Sequence, residues 1–261
     1  MENIDAKKSL GQNFLINEGI IEKIIISADL TAEDTVLEVG PGTGNLTRAL
    51  VATGARVIAV EKDHRAIEDL QAEFSAPQIE IIEKDILEFK PEDYGLTEGN
   101  YKIVANLPYY ITSHFIRNVF EEWPQPTSIV IMVQKEVAKR IMSKPPEMNL
   151  LALSVKYYAE PEIVTYVSRG SFRPMPTVDS AVIKLTPRTE YALPVEKEAL
   201  FFAILKSAFA EKRKQLINTL PTIIGMNKQG TTELLKQIGL SPQTRPETVS
   251  MEYWLILVNS L

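Results

Sequence analysis

Four short apolar runs in the first half of the chain each stop on a residue able to do chemistry. Thr35–Val39 runs into Gly40-Pro-Gly-Thr-Gly44, Arg56–Val60 ends on Glu61, Ile79–Ile82 leads to Lys84-Asp85, and Tyr101–Ala105 ends on Asn106-Leu-Pro-Tyr109. Glycines let the backbone approach a ligand closely, and a helix starting behind such a loop offers unpaired N–H groups and a positive dipole end. That combination implies a nucleotide-like cofactor, although G-x-G-x-G differs from the G-x-G-x-x-G dinucleotide fingerprint and a tight turn without a ligand stays open as the alternative. Glu61, roughly 20 residues beyond the first glycine, stands where a carboxylate accepts hydrogen bonds from ribose hydroxyls. Asp85 is placed to accept from an exocyclic adenine amine. Pro108 removes a donor and fixes φ, so strand pairing stops there and leaves Asn106 at the carboxyl edge beside Tyr109 and Tyr110. A neutral amide, a rigid turn and two aromatics suit a flat polar group.

These residues share one edge only if the runs are strands of one open α/β sheet, whose crevice lies at the carboxyl ends. The intervening segments agree. Ile20, Ile21, Ile24 and Ile25 fall on one helical face, as do Leu46, Ala49 and Leu50, and a further helix is predicted over 65–74. Further strands are predicted at 151–159, 162–167 and 181–185. Beyond Pro187 the pattern turns helical, near 196–210, 211–220, 230–238 and 250–260, punctuated by Pro221, Gly225, Gly239 and Pro242. The expectation is an α/β domain over 1–187 followed by a small helical domain over 188–261. The opening segment holds Lys7 and Lys8 and then Leu10, Phe14, Leu15 and Ile16, apolar residues that should pack over the first domain.

Composition narrows the chemistry. With no Cys and only His64 and His114, the 261-residue chain has no disulfides, no thiol catalysis and no Cys/His zinc site; any metal would have to be held mainly by oxygen ligands, and none is expected. No run of eighteen apolar residues and no export signal is present, which predicts a cytoplasmic protein without a membrane segment. A net charge of -6 argues against nucleic-acid binding by the chain as a whole. Charge distribution argues otherwise: residues 188–261 carry nine Lys/Arg against seven Asp/Glu, and Lys206, Lys212, Arg213 and Lys214 gather around one amphipathic helix. On charge alone an ordinary solvated helix face is the plainer reading of that cluster.

The strand-end set Glu38-Val-Gly-Pro-Gly-Thr-Gly44, Glu61, Asp85 and Asn106-Leu-Pro-Tyr109 resembles S-adenosylmethionine-dependent methyltransferases that modify the N6 amine of adenine. Leu10-Gly-Gln-Asn-Phe-Leu15, Val133-Gln-Lys-Glu-Val-Ala138, Ser171-Phe-Arg-Pro-Met-Pro-Thr-Val-Asp-Ser-Ala-Val182 and Ala208-Phe-Ala-Glu-Lys-Arg-Lys-Gln-Leu216 are similar to the bacterial small-subunit rRNA adenine dimethyltransferases. The resemblance implies a Rossmann-like methyltransferase sheet with an all-helical C-terminal domain, S-adenosylmethionine as cofactor, and 16S rRNA of the small subunit as partner, with a monomer as the expected state. It implies that Asn13 and Leu15 close over the cofactor with Gln12 beside them, Gly40 lies against its methionine part, Glu61 holds the ribose and Asp85 reads the adenine. It further implies that Asn106 sits at the methyl donor, that Tyr109 stacks on the target base, and that Phe172 covers that base from the other side. Relatives with Asn-Ile-Pro act on large-subunit rRNA, whereas this chain has Asn106-Leu-Pro108. One departure is Lys144-Pro-Pro-Glu-Met-Asn-Leu-Leu151, where the family has a glycine-rich turn.

The chemistry required by such a reaction also follows from the residues. The N6 lone pair is delocalised into the ring, so what helps is two acceptors, the Asn106 side-chain carbonyl and the Leu107 backbone carbonyl, each taking one N6–H and drawing the nitrogen toward tetrahedral geometry. An aromatic platform fits a base taken out of its stack.

Overall fold

The computed structural model describes residues 11–74, 77–188, 190–211 and 214–261. The chain divides into two compact units, one made of residues up to Ala138 together with Pro161–Pro187, the other of Lys139–Glu160 together with Arg188–Leu261.

The first unit begins with β1 (Phe14–Leu15), α1 (Glu18–Ala28), β2 (Thr35–Val39), α2 (Asn45–Val51), β3 (Arg56–Glu61), α3 (His64–Glu73) and β4 (Ile79–Glu83). It continues through β5 (Lys102–Asn106), α4 (Thr112–Glu121) and β6 (Ser128–Gln134), on which α5 (Lys135–Ile141) follows directly. After α6 (Leu150–Tyr158), which belongs to the second unit, β7 (Ala159–Val167) leads to β8 (Phe172–Arg173) and β9 (Ser180–Pro187). The main sheet has the order β4-β3-β2-β5-β6-β9-β7. Strands β2 to β6 pair in parallel, and β9 runs antiparallel to β6. The central strands read as near-continuous Val/Ile runs because they are covered on both faces: Val36, Leu37, Ile58, Ile103, Val104, Ile131 and Val133 are all buried. Winding outward from β2 through β3 to β4, and then back through β5 to β6, opens a crevice at the carboxyl ends of β2 and β5.

On one face of that sheet Val36, Ala59, Val104, Val130 and Met132 pack with Ile20, Ile21, Ile24 and Ala28 of α1 and Leu46 and Leu50 of α2. Helix α1 starts where Asn17 accepts a bond from the Ile20 N–H, and stops at Asp29, which takes a left-handed conformation. A two-stranded ribbon, β1 with β8, pairs Leu15 with Phe172 and Phe14 with Arg173.

The second unit adds α7 (Val195–Ala210), α8 (Leu216–Ile224), α9 (Lys228–Gln237) and α10 (Met251–Asn259). Its core gathers Leu153, Tyr157, Phe201, Leu205, Leu220, Leu235 and Trp254. Two expectations are corrected here. Leu151–Ala159, predicted as a strand, is the helix α6, capped by Asn149, whose side chain accepts from the Ala152 N–H. Lys139–Glu160, assigned from sequence to the first domain, goes with the second unit, because Ala152, Leu153 and Tyr157 supply part of its core and the Met148 N–H donates to the Glu247 carbonyl. The atypical 144–151 stretch is thereby an ordered loop whose Met148 is buried in that core. Among the described residues no helix is long and apolar enough to cross a membrane.

Candidate active site

The crevice between β2 and β5 is an open cleft lined by Gly11–Phe14, Gly40, Gly42, Glu61, Lys62 and Asn106–Tyr110. Its floor is the glycine loop. Gly40, Gly42 and Gly44 all have positive φ, at 68°, 55° and 76°, a region in which only glycine sits without strain. Each glycine has its own reason. A Cβ at Gly42 would come within 2.8 Å of the Phe14 ring and one at Gly44 within 3.2 Å of Leu70, while at Gly40 nothing lies within 4 Å. Gly40 therefore borders open space, a cradle that a ligand rather than a side chain fills.

Glu61 closes one side. Its carboxylate accepts from the Gly42 N–H at 3.0 Å, the Lys62 N–H at 2.8 Å and the Asp63 N–H at 2.9 Å. Burial raises its pKa, and the three backbone bonds oppose that effect. The result is a fixed acceptor at the rim of the cradle with lone pairs left for hydroxyl donors. Asp85, at the end of β4, accepts from the Leu87 N–H at 3.0 Å and pairs with Lys62 at 2.6 Å. Its partial burial alone would raise its pKa, but the Lys62 and Leu87 bonds hold the carboxyl below the usual range. It stands one residue layer behind the cleft wall, with Lys62 between.

Asn106 closes the other side. Its amide nitrogen donates to the Asn13 carbonyl at 3.1 Å, so the oxygen is the end turned from that bond, and among the described residues it has no partner. Leu107 is buried, and Pro108 carries the chain into a turn where the Ile111 N–H donates to the Pro108 carbonyl. Tyr109 is half-buried, held by a 2.6 Å hydrogen bond between its hydroxyl and Ser180 Oγ, and burial raises its pKa. Tyr110, which on sequence could have been a core residue beneath the corner, is 64% exposed and lines the cleft.

The opening segment is stitched across these strand ends. Gln12 Nε2 donates to Asp63 at 2.9 Å, Asn45 Nδ2 donates to the Leu15 carbonyl at 2.8 Å, and the Ile16 N–H donates to the Ser171 carbonyl. Leu15 is buried under the sheet face, whereas Ile16 is 46% exposed. Leu10, Lys7 and Lys8 lie outside the described residues, as do Lys212 and Arg213 of the basic cluster; Lys206 and Lys214 are exposed, and Lys214 pairs with Glu211.

The structure thus brings together Gln12, Asn13, Gly40, Glu61, Asn106, Leu107 and Tyr109, with Leu15 and Asp85 immediately behind them. Phe172 is the exception. Its ring is 4% exposed and packs in the sheet-face core with Leu15, so it does not present a face to the cleft. Sequence reasoning gave Phe14 only a packing role and assigned none to Lys62 or Glu38. The place of Phe14 against the glycine loop follows only from the fold of the opening segment, whereas Glu38, a carboxylate inside the apolar run Val36-Leu-Glu-Val39, was a visible signal.

A parallel sheet that reverses its winding over a glycine loop, with a ribose-placed carboxylate on one side and an amide and carbonyl corner on the other, defines a Rossmann-like methyltransferase. Solved structures agree. A dimethyladenosine transferase from Plasmodium falciparum superposes with a TM-score of 0.80 at 27% identity, covering 95% of this chain and 96% of the other. The 23S rRNA methyltransferase ErmE gives 0.78 at 28%, covering 95% and 99%. Among curated proteins, the ribosomal RNA small subunit methyltransferase A of Dehalococcoides mccartyi is 44% identical over 97% of this chain and 87% of its own length. That of Clostridioides difficile is 40% identical over 98% and 91%. The sequence profile of the ribosomal RNA adenine dimethylases matches residues 3–261, and the chain belongs to that family.

Proposed function

We propose that the protein transfers methyl groups from S-adenosylmethionine to the N6 amines of two adjacent adenines in a hairpin near the 3′ end of small-subunit rRNA, giving N6,N6-dimethyladenosine. The observation that carries this reading is the Asn106 amide: it lines the cleft one strand away from the open cradle at Gly40, and with its nitrogen pinned to the Asn13 carbonyl its oxygen is left as a free acceptor. The cofactor, when bound, supplies a methyl group on a positively charged sulfur. Gly40 would admit its methionine part, Glu61 would accept from its ribose, and Asp85, paired with Lys62 at the rim, would accept from its adenine amine. Gln12 and Asn13 hold the opening segment across it.

Against the target base, Asn106 Oδ1 and the Leu107 carbonyl act as two acceptors for N6–H. Together they fix the amine and aim its lone pair at the donor, which is catalysis by positioning. As positive charge develops on N6, both dipoles stabilise it more than they stabilise the neutral amine, so the transition state gains more than the ground state. Tyr109, its hydroxyl anchored on Ser180, supplies a stacking face worth about 1–3 kcal/mol for an extruded base. No general base is needed, since the proton lost from N6 passes to water after transfer.

The test is methyl transfer from labelled S-adenosylmethionine to small subunits lacking the mark, to fully methylated ones, and to large subunits, with the labelled base mapped. Label on two adjacent adenines of unmodified small subunits alone is the expected result; label confined to large-subunit rRNA would overturn the small-subunit assignment.

A further inference from the structure

One layer beneath the centre of the cleft floor lies a carboxyl that no step above uses. Glu38 is 1% exposed, and neither of its oxygens has a hydrogen-bond partner among the described residues. Thr47 on α2 is its polar neighbour, and its hydroxyl dipole favours the ionised form, yet the approach falls short of hydrogen-bond geometry. The register places Glu38 between Ala59 of β3 and Val104 of β5. Because side chains alternate along a strand, Glu61 and Asn106 follow on the same face two residues further along those neighbours. The residue two beyond Glu38 on its own strand is Gly40, where a Cβ would meet nothing within 4 Å. Open space thus begins two residues along the chain from Glu38, where β2 has ended and Gly40 has turned to a positive φ.

We propose that Glu38 is the counter-charge for the cationic methionine part of the cofactor, and that seating this part over Gly40 releases a proton from Glu38 to solvent. The inference rests on S-adenosylmethionine being the methyl donor. Its physical basis is that an isolated carboxylate in an apolar interior neutralises itself unless a cation compensates it. Among the described residues none supplies that cation. The helix α1 presents Ile20, Ile21, Ile24 and Ala28 to this face, β5 contributes Val104 and Asn106, and β3 contributes the acidic Glu61. The nearby cations are committed elsewhere: Arg48 to Glu73, Lys62 to Asp85 and Arg65 to Asp63. Accordingly, burial pushes the Glu38 carboxyl up to about 8, with Thr47 opposing and Glu61 reinforcing the shift. On binding, the Glu38 O–H bond breaks, the proton passes to water and buffer, and the carboxylate stays opposite the incoming positive charge; nothing is oxidised or reduced.

The test is calorimetric titration of the full-length protein with S-adenosylmethionine at pH 7, in buffers of differing ionisation enthalpy, for wild type and Glu38→Gln. Wild type should release about half a proton or more per site, and Glu38→Gln should bind without that release, the cofactor's own amine contributing equally to both. Equal release by the two proteins, as would arise from Glu61, overturns the proposal, as does binding by wild type with no release. An absence of any binding heat overturns the cofactor reading along with it. A second measurement needs no variant: carboxyl NMR of wild type at pH 7 should find Glu38 protonated in the unliganded protein and ionised once the cofactor is bound. The same protonation state in both samples refutes the coupling.

Discussion

Trp254 and Glu38 are both fully buried and both hold polar atoms without a hydrogen-bond partner, yet they occupy interiors of opposite character. Around Trp254 the second unit presents Phe201, Leu205, Leu220, Leu235, Leu257 and Val258, all at or near zero exposure. The indole ring buries far more apolar surface than its lone N–H forfeits, so the residue is accounted for by packing. Around Glu38 the first unit also presents apolar side chains, but a carboxyl has no comparable apolar surface to offset desolvation. A buried group that folding does not explain points to what else the site must do. The same contrast holds more broadly: the helical core is built from residues whose role ends with packing, whereas the sheet edge carries Glu61, Asp63 and Asn106 into or near the interior and fixes each by backbone bonds.

Substitution should separate the two regions, and the largest effects come first. Trp254→Ala is expected to destabilise the protein by about 3–5 kcal/mol, a transfer and cavity effect, measured by denaturant unfolding. Asn106→Ala breaks one half-buried hydrogen bond, about 1 kcal/mol of stability, but should slow methyl transfer by about 10²–10³-fold by removing a transition-state acceptor. If Asn106→Ala unfolds the protein as readily as Trp254→Ala does, or keeps its rate, the division between packing and chemistry fails at that residue.

The sequence made the sheet edge legible and left parts of both interiors obscure, for physical reasons. Gly40, Glu61, Asp85 and Asn106 were readable because each follows a short apolar run, and the end of a run marks the edge of a parallel sheet. Leu150–Tyr158 was misread because Leu-Leu-Ala-Leu-Ser-Val-Lys-Tyr-Tyr is apolar at both strand and helix periods. The deciding signal was Asn149, a helix cap rather than a strand residue. Phe172 was misplaced because its neighbour is Leu15, paired with it across more than half the chain, and no local pattern reports such a pairing. Its motif marked a stretch that pairs with the opening segment and buries its aromatic there.

A finer comparison lies within the glycine loop, between a glycine held by packing and one left open. Gly42→Ala would drive a methyl to within 2.8 Å of the Phe14 ring as well as forcing a side chain into the left-handed region, a penalty of about 1–2 kcal/mol before any clash. Gly40→Ala carries the same backbone penalty with nothing within 4 Å. Thermal unfolding should therefore rank Gly42→Ala as the less stable. Cofactor titration of whichever fraction remains folded should rank Gly40→Ala as the weaker binder, because its methyl stands in the cradle. The reverse ranking in affinity would move the donor away from Gly40.

The smallest effect concerns the rim of the site, where Lys62 and Asp85 are bonded to each other. Asp85 keeps its carboxyl below the usual range despite the opposing effect of its partial burial, because Lys62 and the Leu87 N–H favour the ionised form. A carboxyl depressed on folding lends stability above its unfolded pKa and loses it as pH falls through the folded one, so this contribution disappears only below about pH 4. Lys62→Met leaves the Leu87 bond in place, and carboxyl NMR should then find Asp85 titrating at higher pH than in wild type, with little change in unfolding near neutrality, since exposed ion pairs add little. The substitution also frees Asp85 Oδ2, the oxygen that Lys62 occupies, so cofactor affinity should stay within about fivefold of wild type. A much larger loss would make Lys62 itself a cofactor contact, and Asp85 the residue that positions it.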